Sequence, residues 1–407
     1  MRILILNSWY YPNLMGGAEH SVMLLAEHLA QRGYVVGVFT IDSEIRQLSI
    51  ETINGVKIFR GSGGMYNIRK AYRPNKPLVE SLRNKWLEIR NYSIVSELSK
   101  VNTLFKPDLV HVNCIAGMSM SAIKYFQLKQ IPIVYTLRDY FLDNPRNIVE
   151  KYCWNHPIKK ILLSVYRWYT RRISSQVDAC TAPSTYTLKY YLDNGYFSKS
   201  KIKECIFNSV PINIENTKEC IDEKRTHLKR NFMYAGSVTE TKGIIPMLTA
   251  FMQTNMDCNL YICGTGDLLE YVKGCSIVDS RIKVLGKLKP AELELIYRKS
   301  DIMLVPSLWA EPFGRVVIEA AKYGLYVIGS KNGGIPEIIE TLKCGCICNP
   351  IEINIFKEIL ERVYIKDFSD SYNNIVKQID RYSIERQIDS FEKVYVSLLT
   401  EYKTDKL

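Results

Sequence analysis

No apolar run in the 407 residues approaches the ~18–20 positions that a membrane-spanning helix needs, so none is expected. The eleven cysteines are odd in number and scattered. That argues against a disulfide framework and for free thiols in a reducing compartment, the cytoplasm. Histidine is scarce, five in all, and no Asp-x-Asp dyad is suitably placed, so a metal-assisted reaction is not expected. Cys344, Cys346 and Cys348 alternate along a strand-like run, but no histidine lies near them to complete a metal site. No segment repeats at a fixed period, which excludes a solenoid. Zinc-finger, RNP and helix-turn-helix patterns are absent, so nucleic acid is not expected as a partner. Met1 and Arg2 run straight into the strand-like ILIL, and no signal peptide is expected.

What is present is an ordinary globular composition, 47% apolar and 24% charged, long enough for two domains. Charge is distributed unevenly. Residues 1–210 hold 28 basic and 15 acidic side chains, while 211–407 hold 26 and 27. The whole excess of the net +12 therefore lies in the first half, which favours a polyanionic partner there. Two segments concentrate it. Ile68–Arg90 carries seven Lys or Arg against Glu80 and Glu88, and Lys151–Arg172 has six and no acid. In the second, Trp154, Ile161, Leu162, Val165, Trp168 and Tyr169 are interleaved with the cations. Basic and aromatic residues mixed on one helix suit an anionic membrane surface, the alternative being a solvated basic face over an ordinary core stripe.

Strand-like and helical stretches alternate. In the first half the apolar runs are 3–7, 34–39, 56–59, 108–112, 131–136 and 177–182. Between the first two, Ala18, Val22, Leu25, Ala26 and Leu29 share a helical face, and Gly33 ends that helix. Residues 213–230 are polar without an apolar period and read as a connection. A second series follows at 231–236, 259–264, 281–286, 301–306, 326–330 and 344–349. The order predicts two α/β domains with parallel sheets, 1–212 and 213–383. An amphipathic stretch at 384–407 is expected to pack back on the first. Two such domains bind ligand beyond the C-terminal ends of their strands.

The most informative motif is EPFGRVVIEA, Glu311 to Ala320. It follows a strand, places Glu311 and Glu319 eight apart, and has Gly314 where a helix should begin. A helix N-terminus suits a phosphate, and Glu319 can accept both hydroxyls of a ribose. Alone, two glutamates at this spacing carry little. Their context, with Pro306-Ser307 before and Gly333-Gly334 after, carries more. Gly264-Thr265-Gly266 does not complete a dinucleotide fingerprint, because Leu269 stands where the third glycine is needed.

Taken together, these blocks resemble the family 4 glycosyltransferases, retaining enzymes with the GT-B fold. YAGSVTETKG (234–243), ICGTGD (262–267), LGKL (285–288), PSLWAEPFGRVVIEA and SKNGGIPEII resemble their donor domain. SWYYPNLMGGAEH (8–20), PDLVHVN (107–113), YTLRDY (135–140), TAPSTYT (181–187) and FNSVPI (207–212) fall at family-like places in the first half. The resemblance implies two Rossmann-like domains facing a central cleft. Glu319 would hold the ribose, Glu311 would sit near the donor sugar, and the backbone at Phe313 and Gly314 would meet sugar hydroxyls. Lys242 would neutralise the diphosphate, with Gly16 and Gly17 approaching it from the first domain. Gly236, Ser237, Gly264, Leu288 and Arg315 complete the implied donor side. Arg138, Asp139 and Asn208 lie on the implied sugar and acceptor side.

Two departures stand out. Ser237 replaces the arginine usual beside the loop glycine, removing one phosphate-neutralising charge. Arg138 stands where many members have histidine, exchanging a neutral donor for a permanent cation with five N–H groups. The implied reaction is a retaining, metal-independent transfer of a hexosyl or N-acetylhexosaminyl group. It would run from a UDP- or GDP-sugar to a hydroxyl, with no cofactor. The expected acceptor is a lipid-linked glycan at the inner leaflet, met by a cytoplasmic enzyme docked on the membrane. Competing readings are a nucleotide-sugar-binding subunit without activity, another GT-B enzyme such as an epimerase or phosphorylase, and a glycosidase using Glu311 and Glu319.

Overall fold

The computed structural model describes residues 1–13, 16–42, 44–63, 87, 89–145 and 157–404. It divides into two compact units. One comprises Met1–Asn208 with Gln387–Leu407, the other Ser209–Arg386, against boundaries expected at 212 and 383. Of the two basic segments, 68–86, 88 and 151–156 lie outside the described residues.

The first unit is built on an eight-stranded sheet. Its strands are β1 (Arg2–Leu6), β2 (Val35–Ile41), β3 (Ser49–Ile53), β4 (Val56–Gly61), β5 (Leu109–Val112), β6 (Ile133–Thr136), β7 (Ala179–Ala182) and β8 (Ile202–Cys205). They lie in the order β3-β4-β2-β1-β5-β6-β7-β8. Ile3, Leu4, Ile5 and Leu6 are all fully buried. Such unbroken apolar strands belong to parallel sheets covered on both faces. The sheet is not wholly parallel. β3 pairs antiparallel with β4, Ser49 opposite Arg60. β3 escapes a search for apolar runs because its residues are exposed or half-buried. β8 is polar in the same way.

Helices α1 (Gly17–Gln31), α2 (Tyr92–Phe105), α3 (Ser119–Leu128), α4 (Pro157–Ser174) and α5 (Thr185–Asp193) belong to this unit. The chain's last helix, Ile384–Thr404, contributes its residues from Gln387 onward. Arg32 reaches both Asp389 (2.6 Å) and Glu392 (2.8 Å) on that helix.

The second unit carries six parallel strands in the order β11-β10-β9-β12-β13-β14. They are β9 (Phe232–Ala235), β10 (Leu260–Cys263), β11 (Ile282–Gly286), β12 (Ile302–Val305), β13 (Tyr326–Ser330) and β14 (Gly345–Cys348). Each falls within an apolar run of the sequence. The stretch read as a connection is instead helix α6 (Ile214–Arg225), capped by the Asn213 side chain, which accepts from the Asn216 N–H at 3.1 Å. Its buried positions are Thr217, Cys220, Ile221 and Lys224. They keep helical spacing, but only isoleucine and cysteine among them are apolar. The buried Lys224 donates to the carbonyls of Tyr297 and Arg298, satisfying the end of helix Pro290–Lys299.

Each sheet has one point where strand order reverses. In the first it lies between β1 and β5, in the second between β9 and β12. Loops leaving neighbouring strands part there and open a crevice.

Candidate functional site

In the second unit, the loops after β9 and β12 hold the implied catalytic pair. A single 3₁₀ turn, Glu240–Lys242, precedes helix α7 (Ile244–Met252), with Gly243 between them at φ 74°. A Cβ at 243 would lie 1.9 Å from the Pro306 carbonyl oxygen. Only glycine therefore lets this turn seat against the end of β12. Two further bonds lock the loops. Leu308 and Trp309 both donate backbone N–H to the Thr241 carbonyl, at 2.8 and 3.2 Å. Lys242 thus stands ahead of the helix and not within its first turn. Its ammonium lies 5.4 Å from the Trp309 ring centroid and donates to Glu311 Oε1. Ser307 Oγ donates to the same oxygen at 3.2 Å. Glu311 is also fixed through its backbone, which bridges Gly333 and accepts from Gly334 N–H at 2.8 Å.

Helix α8 (Arg315–Lys322) follows Gly314, whose φ of 101° turns the chain into it. Phe313 is buried beside it. Arg315 Nε donates to Glu319 Oε1 at 2.8 Å, one helical turn along. Each implied carboxylate therefore has its own cation, Lys242 for Glu311 and Arg315 for Glu319. Two separate ion pairs fit charge balance around an anionic ligand better than an acid and a base flanking one bond. At the next strand ends, Gly236 N–H donates to Cys263 O (3.0 Å) and Gly264 N–H to Gly286 O (2.7 Å). Ser237 offers its carbonyl to the Tyr234 hydroxyl at 2.6 Å. Burial, then the Glu311 charge, raises the Tyr234 pKa, so its proton stays in place. Leu288, past β11, is half-buried.

The first unit gathers a second group at its own reversal point. Arg138, just past β6, is buried. Its Nε donates to Asn113 Oδ1 at 2.6 Å, and its Nη1 donates to Asn208 Oδ1. Two implied residues, Arg138 and Asn208, thus meet directly. Asp139 accepts from the Phe141 N–H at 3.1 Å. Burial raises its pKa to about 6, partly offset by that bond and one from the Cys114 thiol. Gly16 and Gly17 open helix α1, where Gly16 is extended and acts as cap.

Sequence reasoning missed Glu19. It is buried, and desolvation raises its pKa, while the backbone N–H groups of Glu19 and Gly16 and the charge of Arg138 pull the other way. Glu19 stands three residues after the cap, the capping-box spacing, so a signal was available. Asn113, Ser307 and Trp309 lie inside the quoted blocks PDLVHVN and PSLWAEPFGRVVIEA without having been singled out, whereas Cys114 had no such signal. His111 sits in β5, fully buried between Thr136 and Tyr395, and is structural.

Comparison with known proteins agrees with this architecture. The profile described as Glycosyltransferase Family 4 matches residues 15–204, and that described as Glycosyl transferases group 1 matches 218–381. An uncharacterized 42.6 kDa protein in the cps region of Klebsiella pneumoniae is 29% identical over 84% of this chain and 88% of its own length. Sucrose-phosphate synthase of Thermosynechococcus elongatus superposes with a TM-score of 0.71 at 18% identity, covering 98% of this chain and 99% of that one. Anabaena HepE, in complex with UDP, gives 0.67 at 16%, covering 98% and 100%. The two profiles account for both units in order, and the chain belongs to the family 4 glycosyltransferases with the GT-B fold.

Proposed function

We propose that this glycosyltransferase moves a sugar from a nucleotide-sugar to a hydroxyl of a lipid-linked glycan, with retention and without a metal ion. The observation that carries the reading is the pair of ion pairs, Lys242–Glu311 and Arg315–Glu319, at the reversal point and helix start of the second unit. An ammonium already held against a carboxylate can turn to a diphosphate at small cost in ordering, because its partners hold the loop in place. Lys242 takes the charge that grows on the leaving phosphate, the role a metal ion plays elsewhere. Arg315 stands in for the cation missing at Ser237. Glu319 receives the ribose, and Glu311, released from Lys242, orients the sugar.

No carboxylate is assigned as a nucleophile. The acceptor hydroxyl attacks the anomeric carbon on the face the diphosphate leaves, and its proton passes to the departing phosphate oxygen. The C–O bond to phosphate breaks as the new C–O bond forms. UDP in the HepE complex supports a uridine nucleotide as donor. The cps-region relative supports surface-polysaccharide assembly as the setting. The transferred group is a hexose or an N-acetylhexosamine. A lipid-linked acceptor offers its hydroxyl at the inner face of the plasma membrane, where a cytoplasmic enzyme meets it.

The test is incubation with a panel of nucleotide-sugars, with and without lipid extract and chelator, following nucleoside diphosphate release. Extract-dependent release that survives chelation, with the donor's anomeric configuration kept in the product by NMR, is expected. Donor binding without turnover under every condition would point to a binding subunit instead.

A further inference from the structure

We infer that the outward face of helix α4 (Pro157–Ser174) is a docking surface for an anionic lipid bilayer. The helix carries two apolar stripes. Leu163, Tyr166, Thr170 and Ile173 form the inward one and are buried. Two of them also anchor the helix, Tyr166 Oη donating to Phe141 O at 2.7 Å and Thr170 Oγ1 to Leu142 O at 2.8 Å. The second stripe is Ile158, Ile161, Leu162, Val165 and Trp168, spaced three, four, seven and ten residues from the first. Each of these five side chains is 58 to 64% exposed. A surface helix ordinarily turns one apolar stripe to the core and a polar face to water. Here the face that should be polar holds five large apolar side chains in one patch, the mark of an interaction site.

Charge identifies the partner. The helix has no aspartate or glutamate. Lys160 and Arg172 are both exposed, Arg172 on the second stripe and Lys160 on the flank of the helix. The Arg172 guanidinium lies 6.0 Å from the Trp168 ring centroid, which ties a cation to the aromatic best suited to a membrane interface. Arg167 is turned away, paired with Asp143 at 2.6 Å. A second copy of the chain laid on this face would bring like charges together. Anionic headgroups supply the charge that is missing, while the acyl region takes the five apolar side chains. Among the described residues no helix is long and apolar enough to cross a membrane, so the contact lies in the interface plane. Because apolar insertion and charge both contribute, added salt weakens binding without abolishing it.

The surface deepens the proposed reading, since it would bring the enzyme to a lipid-linked acceptor, but binding itself does not need that acceptor. The test is co-sedimentation of the full chain with vesicles of phosphatidylglycerol mixed with phosphatidylcholine, and with phosphatidylcholine alone, all free of glycan lipid. The wild type should sediment with the mixed vesicles and far less with neutral ones. The double variant V165E/W168E should lower the partition coefficient by about tenfold or more. K160Q/R172Q should reduce binding to the mixed vesicles only. Both should melt like the wild type and, with lipid extract solubilised in vesicle-free detergent, release nucleotide from donor at its rate. Failure of the wild type to bind, or wild-type binding by V165E/W168E, overturns the inference. So does a wild-type dimer by light scattering that V165E/W168E turns into a monomer. Loss of nucleotide release in the wild type, with vesicle binding as described, would remove the transferase reading and leave the docking surface standing.

Discussion

Tyr395, on the last helix, and His111, on β5, stand 284 residues apart and share a hydrogen bond of 2.7 Å between the phenol oxygen and the imidazole Nδ1. The other ring nitrogen meets Thr136 Oγ1 at 2.6 Å, and Thr136 meets Thr181 at 2.7 Å. Phe391 packs its ring 5.0 Å from the imidazole. One polar chain thus fastens helix Ile384–Thr404 across β5, β6 and β7. All four hydrogen-bonding side chains are buried, so each depends on its neighbour in place of water.

Removing one link should be costly. Tyr395→Phe keeps the ring and deletes the oxygen, leaving the imidazole without that partner in a site water does not reach. A loss of about 1–3 kcal/mol of stability is expected. Urea denaturation followed by circular dichroism measures it, and a midpoint unchanged from wild type would show that the network is not stabilising.

His111 also sets a pH dependence. Burial, and then the charge of Arg138, hold its pKa well below the usual value. The folded state therefore stays neutral where the unfolded chain takes up a proton, near pH 6.5. The unfolded state binds more protons there, so stability falls as pH drops below about 6.5. Asp139 acts in the opposite sense. Its pKa is raised to about 6, so the folded state binds the proton first, and its burial penalty is relieved as pH falls below that. His111→Gln should remove the first effect and leave the second. Its denaturation midpoint should decline less than the wild type's between pH 7 and 5.

The division of labour at the donor site predicts unequal losses. Glu319→Ala should abolish nucleotide binding, read as loss of the shift in melting temperature that ligand produces. A ligand at a hundred times its dissociation constant adds about 2.7 kcal/mol, so the change is readily seen. Glu311→Gln should keep most of that shift while turnover falls about a hundredfold or more. Equal loss of binding in the two variants would put both glutamates on the same part of the ligand.

Gly243 tests whether the loop geometry matters beyond its charges. At φ 74° and 1.9 Å from a carbonyl oxygen, a Cβ forces the Lys242 turn away from the end of β12. Gly243→Ala should destabilise the protein by about 1–3 kcal/mol and weaken donor binding as well. Donor binding at wild-type strength would show that the turn can move without consequence for Lys242.

Helix α6 and strand β3 show where sequence reading stopped. The apolar runs were legible because a parallel strand buried on both faces must be apolar at every position, as Ile3 to Leu6 are. An edge strand such as β3 has no such requirement, and its polar residues hid it. Helix α6 buries threonine and lysine at helical spacing, and both look like surface until their partners are known. The donor motifs fall just after strands, where chain order places them, but their roles were legible only through the resemblance to the family 4 glycosyltransferases, since two glutamates at that spacing carry little alone.

Composition and order along the chain determined two α/β units, the positions of Lys242, Glu311, Arg315 and Glu319 at strand ends, and a basic first half. Only the tertiary structure decided that Lys242 pairs with Glu311, that Arg138 is shared between Asn113 and Asn208, and that helix α4 turns a second apolar stripe outward. The reason is physical. Local propensity and hydrophobic period act over a few residues, whereas pairing and exposure depend on groups that lie tens or hundreds of positions apart until the sheet brings them together.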